Sequence, residues 1–434
     1  MPRIDHTFDV ALADELARLE SFNKHLFRPN TYLHKWWARR CGSTFRLILK
    51  HLVADPGRQE YLEPGGLEGA LVVDPMLGGG TTIHEAIRLG ASVAGRDLDP
   101  IPVLQAWASL SPVGYDAIEP AFNCLFEREK NALGPLFTTN CPICGRSGPL
   151  RFILYGLRQG CACRSVVAVD SLTVREEANG QRLRLCPRCW ALLPGSDGHA
   201  CQQDDPRPAL VEKVEKSCQE CGQRFQADLG RPFYRRYEPL AAVGRCPEHG
   251  EKFAAFSLID RELLARADGR RPVWGDGAGF DVRPGPKSAA LLGIGVGSYL
   301  DLFSSRQLIY LETAIETLPA VAPEAGLFLA LLVSTSLDFN SMLSGYKGAD
   351  AKRAGAIRHA FAHHGYAFPY TALENNPVYP WPSSGGLLRL AWRLQRGRRW
   401  ATAPLERVPD AGRSRSVPLA PEVDGGAPAG DEPE

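Results

Sequence analysis

Apolar positions change period several times along this chain, and each change marks a new element. Ala70 to Val73 is a continuous apolar run that reads as a buried strand, ended by Asp74-Pro75 and three successive glycines, Gly78, Gly79 and Gly80. Thr82 to Leu89 then takes helical spacing. Ser92 to Ala94 reads as a second short strand, followed by an acid, Asp97, 23 positions after Asp74. Upstream, Phe45, Leu47, Ile48, Leu52 and Val53 recur at helical spacing and are expected to pack on the sheet. From Thr138 to about Phe253, short β-like runs (Arg151 to Leu157, Ser165 to Val169) alternate with polar turns. Beyond a Gly/Pro-rich connector, Pro272 to Lys287, the pattern is mainly helical, with Ser304 or Ser305 capping Gln307 to Leu318, and Pro323 to Leu332 as a further helix. After about Thr402 the chain is rich in Pro, Ala and Gly and carries only acids beyond Arg415, as expected of a disordered tail.

Strand, glycine loop, helix, strand and acid in that order are the layout of a Rossmann-like nucleotide site. Glycines let the backbone approach the ligand, and the acid accepts hydrogen bonds from ribose hydroxyls. No Lys follows the glycines, which excludes a P-loop, and their contiguity excludes the dinucleotide fingerprint GxGxxG. The expected fold is α/β: a Rossmann-like core with inserted zinc-ribbon modules and a helical region. The implied divisions are 1–135, an inserted 136–255, a linker 256–287, a helical 288–400 and a tail 401–434.

Composition refines this only modestly. A chain of 434 residues with 44% hydrophobic content is expected to form two or three domains, and its net charge of +1 leaves nucleic-acid contact to local patches. No apolar run approaches a membrane span, and Met1 to Val10 holds no apolar signal core, so a cytoplasmic location without membrane contact is expected.

The twelve cysteines fall mostly in close pairs, which without an export signal points to metal rather than disulfides. Cys141-x2-Cys144, sixteen residues, then Cys161-x-Cys163 reads as a zinc ribbon whose four thiolates satisfy tetrahedral Zn²⁺, leaving a structural site with no open position. Cys186-x2-Cys189, His199-x-Cys201, Cys218-x2-Cys221 and Cys246-x2-His249 supply two more sites. Sequential order groups 186/189/199/201 and 218/221/246/249; pairing Cys186/Cys189 with Cys218/Cys221 fits the spacing as well. His199 is either a ligand or a solvent-exposed loop residue. Cys41 and Cys124 stand alone and read as small buried hydrophobes.

Arg231-Pro-Phe-Tyr-Arg-Arg-Tyr237 interleaves arginines with aromatics, which suits phosphate contact and base stacking or a solvated surface strand. Arg389, Arg393 and Arg396 at helical spacing, with Arg398, Arg399, Trp392 and Trp400, form a second basic patch. Asp338 and Asn340 follow an apolar helix, where they cap it or face a cleft. His359, His363 and His364 show no partner carboxylate pattern and read as structural or surface residues.

Asp74-Pro-x-x-Gly-x-Gly-Thr-Thr82, with Glu85, Ala86 and Gly95-x-Asp-x-Asp-Pro100, resembles the S-adenosyl-L-methionine (AdoMet) motif of amino-group DNA methyltransferases, with Met76 where Phe is usual. His34-Lys-Trp-Trp-Ala-Arg-Arg40, Phe303-Ser-Ser-Arg-Gln-Leu308, Thr335 to Met342, Ala356 to Phe361 and Glu374-Asn-Asn-Pro377 extend the resemblance over residues 25 to 400. Together they resemble the adenine-specific DNA methylases that carry a zinc ribbon and a conserved amino-terminal domain of unknown function.

The resemblance implies AdoMet and structural Zn²⁺ as cofactors and DNA as partner. Asp74, Pro75, Gly78, Gly79, Gly80 and Thr81 would bracket the methionine portion, Asp97 would bind the ribose hydroxyls with Asp99 beside it, and His34 and Lys35 would lie near the methionine end. Trp36 and Trp37 read as core in preference to base-stacking residues. The family's catalytic (Asp/Asn/Ser)-Pro-Pro-(Tyr/Phe/Trp), which orients the target amino group and stacks the extruded base, has only a weak counterpart: Asn376, Pro377 and Tyr379, with Val378 for the second proline. The implied enzyme is therefore split, with the tetrapeptide on a second subunit. A truncated, inactive product, a non-catalytic zinc-containing DNA-binding partner and an RNA methyltransferase are the alternatives.

Overall fold

The computed structural model describes residues 4–22, 27–36, 38–177, 179–194, 199, 201, 207–275, 278–348, 355–360 and 365–419. Among them the protein is mixed α/β, in two units: 1–124 with 318–335 and 390–434, and 125–317 with 336–389. Neither the inserted segment nor the helical region is therefore a unit of its own.

In the first unit, strand β1 (Leu71–Asp74) pairs in parallel with β2 (Ser92–Gly95), Asp74 opposite Gly95. The helix between them, Thr81–Arg88, buries Ile83 and Ala86. Val72 and Val93 pack into the cluster of Leu49, Val53, Leu67, Ala86 and Leu89, so one face of the pair is covered by that helix and by Gly42–Lys50. Alternate residues of β1 have no such cover: Leu71 is 65% and Val73 60% exposed. Asp99 accepts from the Ile101 N–H (2.9 Å) and Pro100 sits in the first turn, which starts the helix Pro100–Leu110.

Residues 405–418, expected within the disordered tail, instead form an antiparallel hairpin, Leu405–Asp410 with Arg413–Pro418. Val408 and Val417 bury against Ala13 and Leu16 of the helix Val10–Ser21, and Glu406 is buried with them. An alternating strand of this kind hides its signal among prolines and charges. Residues 420–434 of the expected tail lie outside the described set, as do Trp37, His363 and His364.

A buried ionic cluster ties this unit together. Arg28 meets Glu85 and Glu406 (2.7 Å for the latter), Arg88 meets Glu85 at 3.2 Å, and Glu20 accepts the Gly42 and Ser43 N–H groups at 2.9 and 2.8 Å. Glu85, a motif residue in the sequence, is thus a structural charge. Arg398 is buried as well: it donates to the carbonyls of Ala108, Ser109, Ser111 and Val113, satisfying the carboxyl end of the helix Pro100–Leu110. It leaves the basic patch that the sequence suggested.

The second unit is built on one long strand. After β3 (Thr138–Asn140), β4 (Ser147–Gly160) runs 14 residues, apolar on both faces at its centre because both are covered. It pairs antiparallel with Tyr237–Cys246 on one side and Thr371–Asn375 on the other. β5 (Ser165–Val169) folds back on its carboxyl end and pairs in parallel with Ala209–Glu212. Thr371–Asn375, Gly345–Tyr346 and Ile357–Arg358 come from the stretch expected to be mainly helical, and they join this sheet because their apolar residues are buried there. The expected linker carries a helix, Leu258–Asp268, with Ser257 and Asp260 in a capping box. No helix of the described residues is long and apolar enough to cross a membrane.

Glu129, on the helix Tyr115–Leu133, is fully buried, and neither carboxyl oxygen has a hydrogen-bond partner among the described residues. Burial raises its pKa to about 9. The folded state therefore holds a proton that the unfolded state releases at about 4.5. Its stability contribution is full below that value and falls progressively between pH 4.5 and 9, by about 3 kcal/mol at pH 7. Glu129→Gln is expected to be near neutral at pH 5 and stabilising at pH 8, as denaturant unfolding at the two pH values would read.

Candidate cofactor pocket and metal centres

The carboxyl ends of β1 and β2 are joined by hydrogen bonds, one of them to the Asp97 side chain. Its two oxygens accept the Gly78 N–H at 2.8 Å and the Asp99 N–H at 3.1 Å, and the Leu77 N–H reaches the Arg96 carbonyl at 2.8 Å. The Gly78 N–H, then the Asp99 N–H, hold the Asp97 carboxyl below its ordinary range. Gly78 and Gly80 have φ of +50° and +79°, a conformation costly for any residue with a Cβ, and Gly80 starts the helix Thr81–Arg88 from it.

This loop borders a cavity of about 420 Å³, within the range of small-molecule sites. Asp74, Pro75, Gly78, Gly79, Thr81 and Asp97 line it, and Gly80 does not. Asp99 does not, because its carboxylate caps the following helix. His34 and Lys35 are also absent from the lining. His34 Nε2 pairs with Ser334 Oγ at 3.0 Å, and the Lys35 N–H donates to Thr335 Oγ1 at 3.1 Å, so this segment is fastened to the helix Pro323–Ser336.

The residue that reaches the cavity is Trp36, expected in the core. Its indole Nε1 is buried without a hydrogen-bond partner among the described residues, and a Cβ placed on Gly78 would lie 3.3 Å from it. An orphaned donor at the wall of a cavity suits a ligand that brings an acceptor. Arg40 and Phe45 complete that side, and Met76 and Leu98, both strongly exposed, form an apolar rim. Only the Trp-rich motif could have signalled Trp36 in the sequence.

Among the described residues, three clusters of four metal-type ligands are present: Cys141, Cys144, Cys246 and His249; Cys161, Cys163, Cys218 and Cys221; Cys186, Cys189, His199 and Cys201. Within each, the ligand atoms all lie within 4.8 Å of one another, as a shared tetrahedral ion such as zinc requires, where ligand atoms stand about 3.8 Å apart. In the first, Cys144 and Cys246 Sγ are 3.7 Å apart; in the second, Cys163 and Cys218 Sγ are 3.4 Å apart. The Cys221 N–H points at the Cys218 sulfur and brings that thiol down to about 6.

The third cluster has the sequential grouping and includes His199. The other two correct it, and neither follows the crossed alternative. β4 separates Cys144 from Cys161 by roughly 45 Å of extended chain, so those pairs cannot share an ion. Each instead meets the knuckle brought to its own end of β4. Cys246 ends the antiparallel neighbour strand, and Cys218 precedes Gln226–Ala227, which pairs with Gly160 and Gln159. Cys41 is half-buried, its thiol facing Glu20 and Ser43, and Cys124 is exposed; neither is a buried hydrophobe.

Asn376 is buried with its amide engaged at both ends, donating to the Leu150 carbonyl (2.7 Å) and accepting the Val378 N–H (3.0 Å). Pro377 and Tyr379 follow, with the Tyr379 ring on Trp381. This is a wall of the second unit's sheet. Asp338 does have a histidine partner: its Oδ2 meets His359 Nδ1, and the His359 ring packs 4.4 Å from that of Phe339. Twenty-one residues separate the two, too far for a sequence pattern to join them.

Compared with known protein families, characterised proteins and solved structures, the chain finds no match.

Proposed function

We propose that this protein is the AdoMet-binding subunit of a methyltransferase acting on an exocyclic amino group of DNA, adenine N6 in the reading of its motifs, with three structural zinc ions. The observation that carries the proposal is the cavity at the glycine loop, with the Asp97 carboxylate on one side and the unpartnered Trp36 indole N–H on the other. Asp97, kept ionised by two backbone N–H groups, would accept the ribose hydroxyls. Arg40 suits the methionine carboxylate, and Trp36 Nε1 a further acceptor of the cofactor. AdoMet would supply a methyl group on a sulfonium, already a good leaving group, so the protein's task is alignment and exclusion of water.

The zinc sites, each with four protein ligands, would leave no open position for catalysis. Two features support a partner chain that supplies the catalytic tetrapeptide. Asn376 is occupied by backbone, and β1 offers Leu71 and Val73 as an uncovered apolar face beside its only described partner strand.

Calorimetry with AdoMet tests the site. Binding to the isolated chain is expected, with a loss of at least a hundredfold in Asp97→Ala at unchanged zinc content. Unaltered affinity in that variant would remove the site assignment. Methyl transfer to DNA is expected only when the second polypeptide is added.

A further inference from the structure

The second unit holds a separate cavity of about 230 Å³, with no part in the AdoMet reading. Its floor is a buried carboxylate held by four donors: Glu374 takes two bonds from Arg306 and one each from Tyr155 and Ser304. Its walls carry Arg158, Arg231, Arg235 and the ring of Tyr234. Arg271 lies 3.8 Å over that ring, and Arg235 Nε donates to the Tyr234 hydroxyl at 3.0 Å, so the aromatic wall is fixed in place.

The cationic side is incompletely neutralised toward the cavity. Arg158 is held by Glu238 and Arg231 by Asp228 (2.9 Å), neither of which lines the cavity; Asp268 does line it and is paired with Arg235 (3.4 Å), which leaves Arg158 and Arg231 as the cationic wall. The Arg158 Nε is buried and has no hydrogen-bond partner among the described residues. Burial and then the Arg231 guanidinium lower the pKa of Arg158, and Asp228 offsets them only in part, so two cations share one wall. An anion between them relieves that repulsion and takes the unused donor.

From this geometry we infer that the cavity binds a single nucleotide unit, its phosphate between Arg158 and Arg231 and its base against the tyrosine wall. The volume lies below the usual range of about 300–1,000 Å³ for small-molecule sites, so it leaves room for no more than one base with its sugar and none for a duplex. Guanidinium pairs suit phosphate, and a fixed ring offers a stacking surface to any base.

The zinc-loaded full chain would be titrated with AMP, adenosine and inorganic phosphate. AMP is expected to bind more tightly than either fragment. Arg158→Gln with Arg231→Gln should weaken AMP at least tenfold while zinc content and AdoMet binding stay unchanged. Asp97→Ala should leave AMP affinity as it is, which separates this cavity from the glycine-loop pocket. The inference is overturned if AMP binding is lost in Asp97→Ala yet kept in the double variant, if phosphate alone binds as tightly as AMP, or if AMP does not bind at millimolar concentration.

Discussion

Removing metal from the purified protein with a strong chelator is expected to collapse the second unit, with loss of near-ultraviolet circular dichroism. Structural zinc contributes about 10–16 kcal/mol of apparent binding free energy to small domains at neutral pH, more than any other single interaction available here. Two of the clusters clamp opposite ends of the β4 pairing, so their loss frees the strand that five other strands pair with. Metal analysis should find close to three zinc per chain and two after Cys218→Ser. A metal-free chain with undiminished structure would sink the reading. Cys186→Ser should cost less, because the third cluster sits in the excursion between β5 and Ala209–Glu212, outside the β4 pairing.

The second large effect is expected at Arg306. Burial by itself raises the Glu374 carboxyl, but Arg306, with Ser304 and Tyr155, overrides it and holds the group below its ordinary range. Both side chains are almost fully buried, Arg306 Nε lying 2.9 Å from Glu374 Oε1. Arg306→Met leaves an uncompensated charge in the sheet, for a loss of about 3–5 kcal/mol. Because an apolar replacement of both partners avoids that charge, Arg306→Met with Glu374→Leu is expected to recover much of the loss. Urea unfolding of the two single variants and the double variant measures the coupling directly. A double variant no more stable than Arg306→Met would show that the pair's role is packing rather than charge compensation.

What the sequence disclosed follows from how local each signal is. The β1–loop–helix–β2 segment was legible because its strand, glycines, helix and acid lie within about thirty residues, each with its own pattern. The metal ligands were legible as residue types, but their grouping depends on the length and partners of β4, which spacing does not encode. Asp338 and His359 meet for the same non-local reason. His34 and Lys35 were misplaced by one or two residues: Ser334 and Thr335, some 300 positions later, fasten that segment and turn Trp36 to the cavity. Glu85 and Arg398 read as functional from motif and charge, yet burial gives both to the scaffold. The hairpin at 405–418 escaped notice because its composition suited a tail and only its packing on Ala13 and Leu16 distinguishes it.

The grouping of the metal ligands also sets a timetable for synthesis. The cluster at 186/189/199/201 has all its ligands once residue 201 has left the ribosome, and the one at 161/163/218/221 follows some twenty residues later. Cys144 must wait for Cys246, 102 positions on. At typical elongation rates that is about 5–20 s in which an open pair of thiols waits with half its ligands unmade. The knuckle translated first is thus completed last, and it is the one where oxidants or competing metals have the longest opportunity to interfere.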